Sequence, residues 1–261
     1  MTDLVLAETA HGVHTLTINR PDKKNALTEA MYAALADGIA HAESDPAVRV
    51  TRIRGTGGSF TAGNDLADFA AQGAKPVSTG DSKVEAPVTR FLRAVSTTEK
   101  PLVAQVNGLA VGVGVTMLLH CDLVYAGESA TFQAPFVNLG LVPEAASSLL
   151  LPRLVGLQRA GELFLLGRKI GSAEARDMGL VAQVLPDDAL DAGVEAVARE
   201  LAAKAPNAVR FTKGLLRKNH GEIAERMAEE GRIFAAQLRS AEVKEAIGAF
   251  FEKRPADFSK L

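Results

Sequence analysis

The 261-residue sequence has little of what staples, stacks or grips phosphate backbones: one cysteine, no tryptophan, 5% aromatic residues and no surplus of basic side chains. A lone thiol, Cys121, cannot close an internal disulfide, so a reducing compartment is expected. With 29 basic against 31 acidic residues, a net charge of −2, the chain lacks the positive excess that nucleic-acid binding requires. The five histidines (His11, His14, His41, His120, His220) show no metal-ligand spacing, and no Gly-x-Ser-x-Gly elbow occurs, so neither a metal site nor a serine hydrolase is expected. Met1-Thr2-Asp3-Leu4 places an acid where a secretory signal carries a base, and secretion is not expected. The longest apolar stretch, Leu102 to Leu119, is interrupted by Gln105, Asn107, Thr116 and three glycines and is closed by His120 and Asp122, which argues against a membrane span.

What is present is alanine, 44 residues of it, within a 47% hydrophobic content that favours closely packed helices over aromatic-rich sheets and excludes disorder. The length allows one large α/β domain or a core with an appendage. Val13 to Ile18 alternates as a strand, Asn19 to Lys24 ends it, and Thr28 opens a helix to Ala42 with Met31, Leu35 and Ile39 on one face. A second unit starts at Val48 and turns at Gly55, Gly57 and Gly58, although Arg52 falls where an apolar residue is expected. Gly73 to Val84 is polar and aperiodic and is expected to form a mobile surface loop. Pro101 to Val106 predicts a strand, Gly108 to Gly114 a glycine-rich turn, Val115 to His120 a helix and Leu123 to Ala126 another strand. Alternating strands and helices imply a parallel or mixed sheet covered by helices. From Pro206 the pattern is helical, with Ile223, Met227, Phe234 and Leu238 in one apolar stripe. The predicted division is a core over 1–205 and a helical region over 206–261.

The glycine turn fails both nucleotide patterns: Met117 stands where a dinucleotide loop needs its third glycine, and no Gly-Lys-Ser/Thr follows. It leaves unencumbered backbone N–H groups able to hold an anion or an oxyanion. Glu144, following Pro143 at an expected helix start, complements a helix dipole there, yet its neighbours Leu139, Leu141, Val142, Ala145 and Ala146 are the setting that raises a carboxylate's pKa. His120 and Cys121 read as core residues, and Asp65 as a helix cap.

Four ordered segments, Ser59-Phe60-Thr61-Ala62-Gly63-Asn64-Asp65-Leu66, Val106 to Gly112, Cys121 to Ala126 and Ala249-Phe250-Phe251-Glu252-Lys253-Arg254-Pro255, resemble the enoyl-CoA hydratase/isomerase (crotonase) superfamily. The resemblance implies an α/β spiral of ββα units with a C-terminal helical trimerisation region, a homotrimer or hexamer, and an acyl-CoA thioester substrate with coenzyme A as part of it and no further cofactor. It places an oxyanion hole at the backbone N–H groups of Asn64 and Val113. It places substrate and CoA binding at Ala62, Gly63, Asn64, Asp65, Leu66, Lys24, Phe234 and Lys253, with Arg20 and Lys23 beside Lys24 as further basic residues. The two glutamates of the hydratases match Thr116 and Phe136 here, neither of which can act as a general base, and Phe136 is expected to present an apolar wall to any water. Pro135 to Ser148, and the Ala62 to Leu66 wording, resemble instead the peroxisomal-type Δ3-Δ2-enoyl-CoA isomerases, whose single catalytic glutamate aligns with Glu144. The implied activity is therefore enoyl-CoA isomerisation in fatty-acid metabolism. A hydratase or other crotonase-type lyase or hydrolase, and a non-catalytic CoA-binding subunit, are the alternatives. A cytoplasmic location in a bacterium is expected from the alanine-rich and glycine-rich composition; Ser259-Lys260-Leu261 spells a peroxisomal address, which has meaning only in a eukaryotic cell.

Overall fold

The computed structural model describes residues 3–73, 85–218 and 220–261. Two sheets share the strands. Strands β1 (Val5–Ala10), β2 (Val13–Ile18), β3 (Val50–Gly55), β5 (Leu102–Val106), β7 (Leu123–Gly127) and β10 (Gln183–Leu185) form one sheet in the order β1-β2-β3-β5-β7-β10, parallel throughout except for the β1-β2 hairpin. The short strands β4 (Ser59–Thr61), β6 (Leu109–Val111), β8 (Thr131–Gln133) and β9 (Lys169–Gly171) form the second, in the order β4-β6-β8-β9. Each successive pair, β3-β4, β5-β6 and β7-β8, gives one strand to each sheet before the chain turns into a helix, which makes a winding series of ββα units.

The helices are α1 (Glu29–Ser44), α2 (Leu66–Gly73), α3 (Pro87–Thr97), α4 (Val113–Thr116), α5 (Ser147–Val155), α6 (Leu157–Leu165), α7 (Ser172–Asp177), α8 (Leu190–Ala202), α9 (Pro206–Leu216), α10 (His220–Gln237) and α11 (Ala241–Glu252). Helix α1 starts where Thr28 accepts a hydrogen bond from the Met31 N–H, and it buries Met31, Leu35 and Ile39, the predicted face. Among the described residues no helix is long and apolar enough to cross a membrane. The loop predicted over Gly73 to Val84 lies, from residue 74 onward, outside the described residues.

Three sequence expectations change here. Val5 to Ala10, ahead of the first predicted strand, is itself the edge strand β1. The glycine-rich turn contains β6, three residues long and too short for any alternation to show. Arg52, the irregularity in β3, is only 2% exposed because it lies among polar partners: its guanidinium donates to Gln105 at 3.0 Å and Glu195 at 2.8 Å, and also meets Asp191. A buried cation survives when several acceptors replace its water.

The helical region after residue 205 is tied to the core by charge. Asp122 accepts from the Leu102 N–H at 2.8 Å and pairs with Lys213 at 2.8 Å and Arg217 at 2.9 Å, which docks the end of α9 beside β5. One further pin sets up the site. Asn25, fully buried and left-handed at φ 59°, donates to the carbonyls of Thr56 (2.9 Å) and Ser59 (2.6 Å) and accepts from the Arg20 N–H (2.7 Å). The segment it fixes pairs with the chain after β4, through Ala62 N–H to Lys24 O (2.9 Å), Leu27 N–H to Gly63 O (2.8 Å) and Asp65 N–H to Leu27 O (2.9 Å). Asn25→Ala leaves the buried Ser59 carbonyl without this donor and removes two half-buried hydrogen bonds, to Thr56 and from Arg20, so it should lower unfolding free energy by about 3 kcal/mol, read from denaturant midpoints at unchanged slope.

Candidate active site

Glu144 lies at the floor of a cavity of about 810 Å³. Tyr32 from α1, Phe69 from α2, Val88 and Leu92 from α3, Ile223, Met227 and Phe234 from α10, and Leu238 just after α10 supply its apolar walls. The stripe predicted on α10 therefore faces the cavity, and a lining and a core-covering stripe share one periodicity. Phe234 meets Phe69 edge to face at 5.7 Å between ring centres.

Among the described residues the Glu144 carboxylate accepts one side-chain hydrogen bond, from the Thr116 hydroxyl. Burial pushes its pKa up to about 7; the Thr116 bond opposes the rise and the charge of Glu230 adds to it. A carboxyl group so tuned accepts and releases a proton near neutrality, as a general base must.

The backbone after Glu144 is unusual. Ala145 and Ala146 are both left-handed, at φ 62° and 54°, a conformation costing alanine on the order of 1 kcal/mol each. Both side chains are buried. The Ala145 carbonyl accepts from His120 Nε2 at 2.8 Å, which fixes the ring as the Nε2–H tautomer because a carbonyl can only accept. Burial lowers the His120 pKa to about 4 and keeps the imidazole neutral.

Two glycine loops approach each other beside the cavity. Gly63 has φ 86°, and a Cβ there would lie 2.8 Å from the Val111 carbonyl oxygen, so only glycine lets the 62–66 segment sit against the end of β6. Gly112 has φ 56° and ψ −116°, a combination reserved for glycine, and it turns the chain from β6 into α4. The next residues are Asn64 and Val113. Among the described residues neither of their backbone N–H groups has a protein acceptor. The Tyr32 hydroxyl donates to the Asn64 side-chain oxygen, which anchors that residue.

The remaining predicted residues divide. Asn64, Glu144 and Phe234 line the cavity, and Thr116 touches Glu144 from α4, fully buried. Ala62, Gly63 and Leu66 build the first loop, where Ala62 and Gly63 make the backbone pairings to Lys24 and Leu27. Asp65 is committed elsewhere: one oxygen caps α2 at the Ala67 (2.9 Å) and Asp68 (3.3 Å) N–H groups, and the other pairs with Arg20 at 2.7 Å. Arg20 is thereby held as well. Lys24 is exposed and left-handed at φ 50°, and Lys253 is exposed at the C-terminal end of α11; neither lines the cavity. Phe136 is not a cavity wall as expected but a core residue packed against Phe164 at 6.2 Å. Tyr32, His120 as a loop contact, and Glu230 escaped the sequence reading. They lie 112, 24 and 86 residues from Glu144, on elements whose own motifs give no sign of the encounter.

The raised pKa of Glu144 makes a stability prediction. Because the native state binds this proton more tightly than the unfolded chain, the stabilisation is complete below about pH 4.5 and is lost as pH rises through about 7. Glu144→Gln should therefore be more stable than the parent at about pH 8, by up to about 3 kcal/mol, and equal to it near about pH 4, as followed by calorimetric Tm across that range.

The sequence profile of the enoyl-CoA hydratase/isomerase family matches residues 8–260. Enoyl-CoA delta isomerase 2 of Rattus norvegicus is 36% identical over 253 residues, covering 96% of this chain and 64% of the rat protein, so the chain spans just under two thirds of that relative's length. The 1,2-epoxyphenylacetyl-CoA isomerase of Escherichia coli is 32% identical over 260 residues, 99% of each chain. Other relatives are named as hydratases. A crystal structure of an enoyl-CoA hydratase/isomerase from Pseudoalteromonas atlantica superimposes with a TM-score of 0.91 at 47% identity, over 98% of this chain and all of that one. The ββα spiral and the profile match over nearly the whole length agree, and the chain belongs to the enoyl-CoA hydratase/isomerase (crotonase) family of acyl-CoA enzymes.

Proposed function

We propose that the protein is a Δ3-Δ2-enoyl-CoA isomerase of fatty-acid metabolism. Glu144 removes the C2 proton of a 3-enoyl-CoA, the thioester oxygen takes up the negative charge as the enolate forms, and the same carboxyl group returns the proton at C4 to leave the 2-enoyl product. The amides of Asn64 and Val113 donate to the enolate oxygen; each such donor is typically worth about 3 kcal/mol of barrier. The proton and the electron pairs all stay within the substrate and Glu144, with no net oxidation or reduction, so the route needs no redox cofactor, and the coenzyme A is carried by the substrate.

The observation that carries the reading is the Glu144 carboxyl group in the cavity, its pKa pushed up to about 7 by burial and the Thr116 hydroxyl, not a second acid, hydrogen-bonded to it. A single base suffices for a proton shuttle, whereas hydration has to activate water and protonate carbon as well. Thr116 stands at one position where the hydratases carry a glutamate, and Phe136, in the core, at the other. The mostly apolar cavity suits an acyl chain.

Glu144→Gln should bind an acyl-CoA as tightly as the parent, by calorimetric titration, while isomerisation of a 3-enoyl-CoA falls by several orders of magnitude. The parent should isomerise much faster than it hydrates a 2-enoyl-CoA; comparable hydration that Glu144→Gln abolishes would overturn the isomerase reading.

We also propose a homotrimer or a hexamer. Phe211, Leu215 and Leu216 on α9 are 72%, 64% and 81% exposed, and Leu165 and Leu166 at the end of α6 are exposed too. Apolar surface of this kind is normally covered by another subunit. Sedimentation velocity at micromolar concentration should give three or six times the 27.4 kDa chain mass, and a monomer would refute the assembly.

A further inference from the structure

Glu230, on the buried side of α10, has no place in the proposed chemistry, yet its carboxylate points at the segment that follows Glu144. One oxygen accepts from the Ala146 N–H at 2.6 Å and the other from the Ser148 N–H at 2.9 Å. These are amides at the start of α5, where Ala146 occupies the capping position with no side chain able to cap. The external carboxylate supplies what a serine or aspartate at that position would supply, and it reaches there from 84 residues away. On the opposite side of the same turn, His120 donates to the Ala145 carbonyl. The left-handed pair is therefore held by two flanking groups that carry different charges and come from different elements.

We propose that Glu230 is the positioning residue for Glu144: its grip on the Ala146 and Ser148 amides holds the strained Ala145-Ala146 turn that aims the Glu144 carboxylate into the cavity. The proposal rests on Glu144 being the base. A turn of two left-handed alanines relaxes once its amide partners are withdrawn, because each residue gains by returning to ordinary backbone angles. Glu144 precedes that turn directly, so its carboxylate moves with it, and displacement of a base by about 1 Å costs roughly a hundredfold in rate.

Glu230 acts on Glu144 through charge as well, since a nearby negative group disfavours a second one. The other groups around Glu144 are the Tyr32 phenol from α1, the Thr116 hydroxyl from α4 and, farther along the cavity wall, Glu29, Glu85, Arg93, His220 and Arg232. Arg93 is paired with Glu85 at 2.7 Å. Arg226, one turn before Glu230, partly offsets the charge of Glu230.

The test compares the full-length parent with Glu144→Gln, Glu230→Gln and Glu230→Asp. Two readouts are taken from about pH 5 to about pH 9: kcat and KM on 3-hexenoyl-CoA, and the titration of the Glu144 carboxyl by carbon-13 NMR, its resonance identified by its absence from Glu144→Gln. Glu230→Gln removes the charge and leaves one amide facing a donor; kcat should fall tenfold to a hundredfold with KM within about threefold, and the acid limb and the NMR midpoint should both move down by roughly half a unit. Glu230→Asp keeps the charge but is too short for both amides, so kcat should fall while the midpoint stays at the parent value. A structural role alone would not separate the two variants in this way. Parent-like kcat and midpoint in Glu230→Gln would overturn the proposal, and if that variant does not fold, parent-like kcat in Glu230→Asp would do so. An inactive parent, or a Glu144→Gln variant as active as the parent, would instead overturn the base assignment, and the NMR midpoints would still report whether Glu230 acts on Glu144.

Discussion

A carboxyl group among apolar side chains, with the Thr116 hydroxyl for a partner, is the constraint on which the rest of this structure depends. In water Glu144 would be ionised and a weak base; the same group in the cavity floor holds its proton up to about pH 7. That placement is unfavourable above neutrality and has to be enforced by packing. The enforcement comes from far along the chain: α3 and α10 wall the cavity, and α11 seats against Gly140 so closely that a Cβ there would lie 2.9 Å from the Val243 nitrogen. Gln237 of α10 also donates to the Gly140 carbonyl at 3.2 Å. The C-terminal helices, which a sequence reading sets apart as a separate region, are the lid and clamp of the segment that carries the acid.

The legibility of the molecule follows the range of its interactions. Helix α1 and strands β2, β5 and β7 were readable because periodicity and capping act within a few residues. The second sheet was not, since its strands are three residues long and their pairing is decided by neighbours far along the chain. Arg52 looked like an error in an apolar strand because its acceptors, Asp191 and Glu195, come from α8. Glu144 could be picked out by its apolar neighbours and by motif, both local signals. Tyr32, His120 and Glu230 could not: a tyrosine on an amphipathic helix, a histidine ending an apolar run and a glutamate on a charged helix are each ordinary until the fold brings them to one loop.

Motif position located the two glycine loops, and the backbone shows how closely they approach each other. Gly63 permits van der Waals contact with the end of β6, and Gly112 turns the chain immediately afterwards, so the Asn64 and Val113 amides follow two turns that touch. The second sheet maintains that contact through the β4-β6 pairing. On the proposed reading, in which these amides meet the enolate oxygen, donors held by a sheet on one side and by the Asn25-centred segment on the other need little reorganisation when charge develops before them, which is where electrostatic catalysis gains most.

On the proposed reading, Thr116 changes the chemistry of such a scaffold without changing its shape. At this position, which the resemblance matches to a glutamate of the hydratases, a threonine hydroxyl can neither accept a proton as a base nor activate water, but it donates to the Glu144 carboxylate. The donation lowers the proton affinity of Glu144 while burial and Glu230 raise it, and the opposed effects leave the group near neutrality. A second carboxylate at position 116 would repel Glu144 and force one of the pair to stay protonated. On the proposed reading, the loss of an acid at that position is therefore a condition for the acid at 144 to act as the base: one ionisable group at the floor can be tuned to shuttle a proton between C2 and C4, and its hydroxyl neighbour fixes the orientation of the carboxylate while contributing no competing charge.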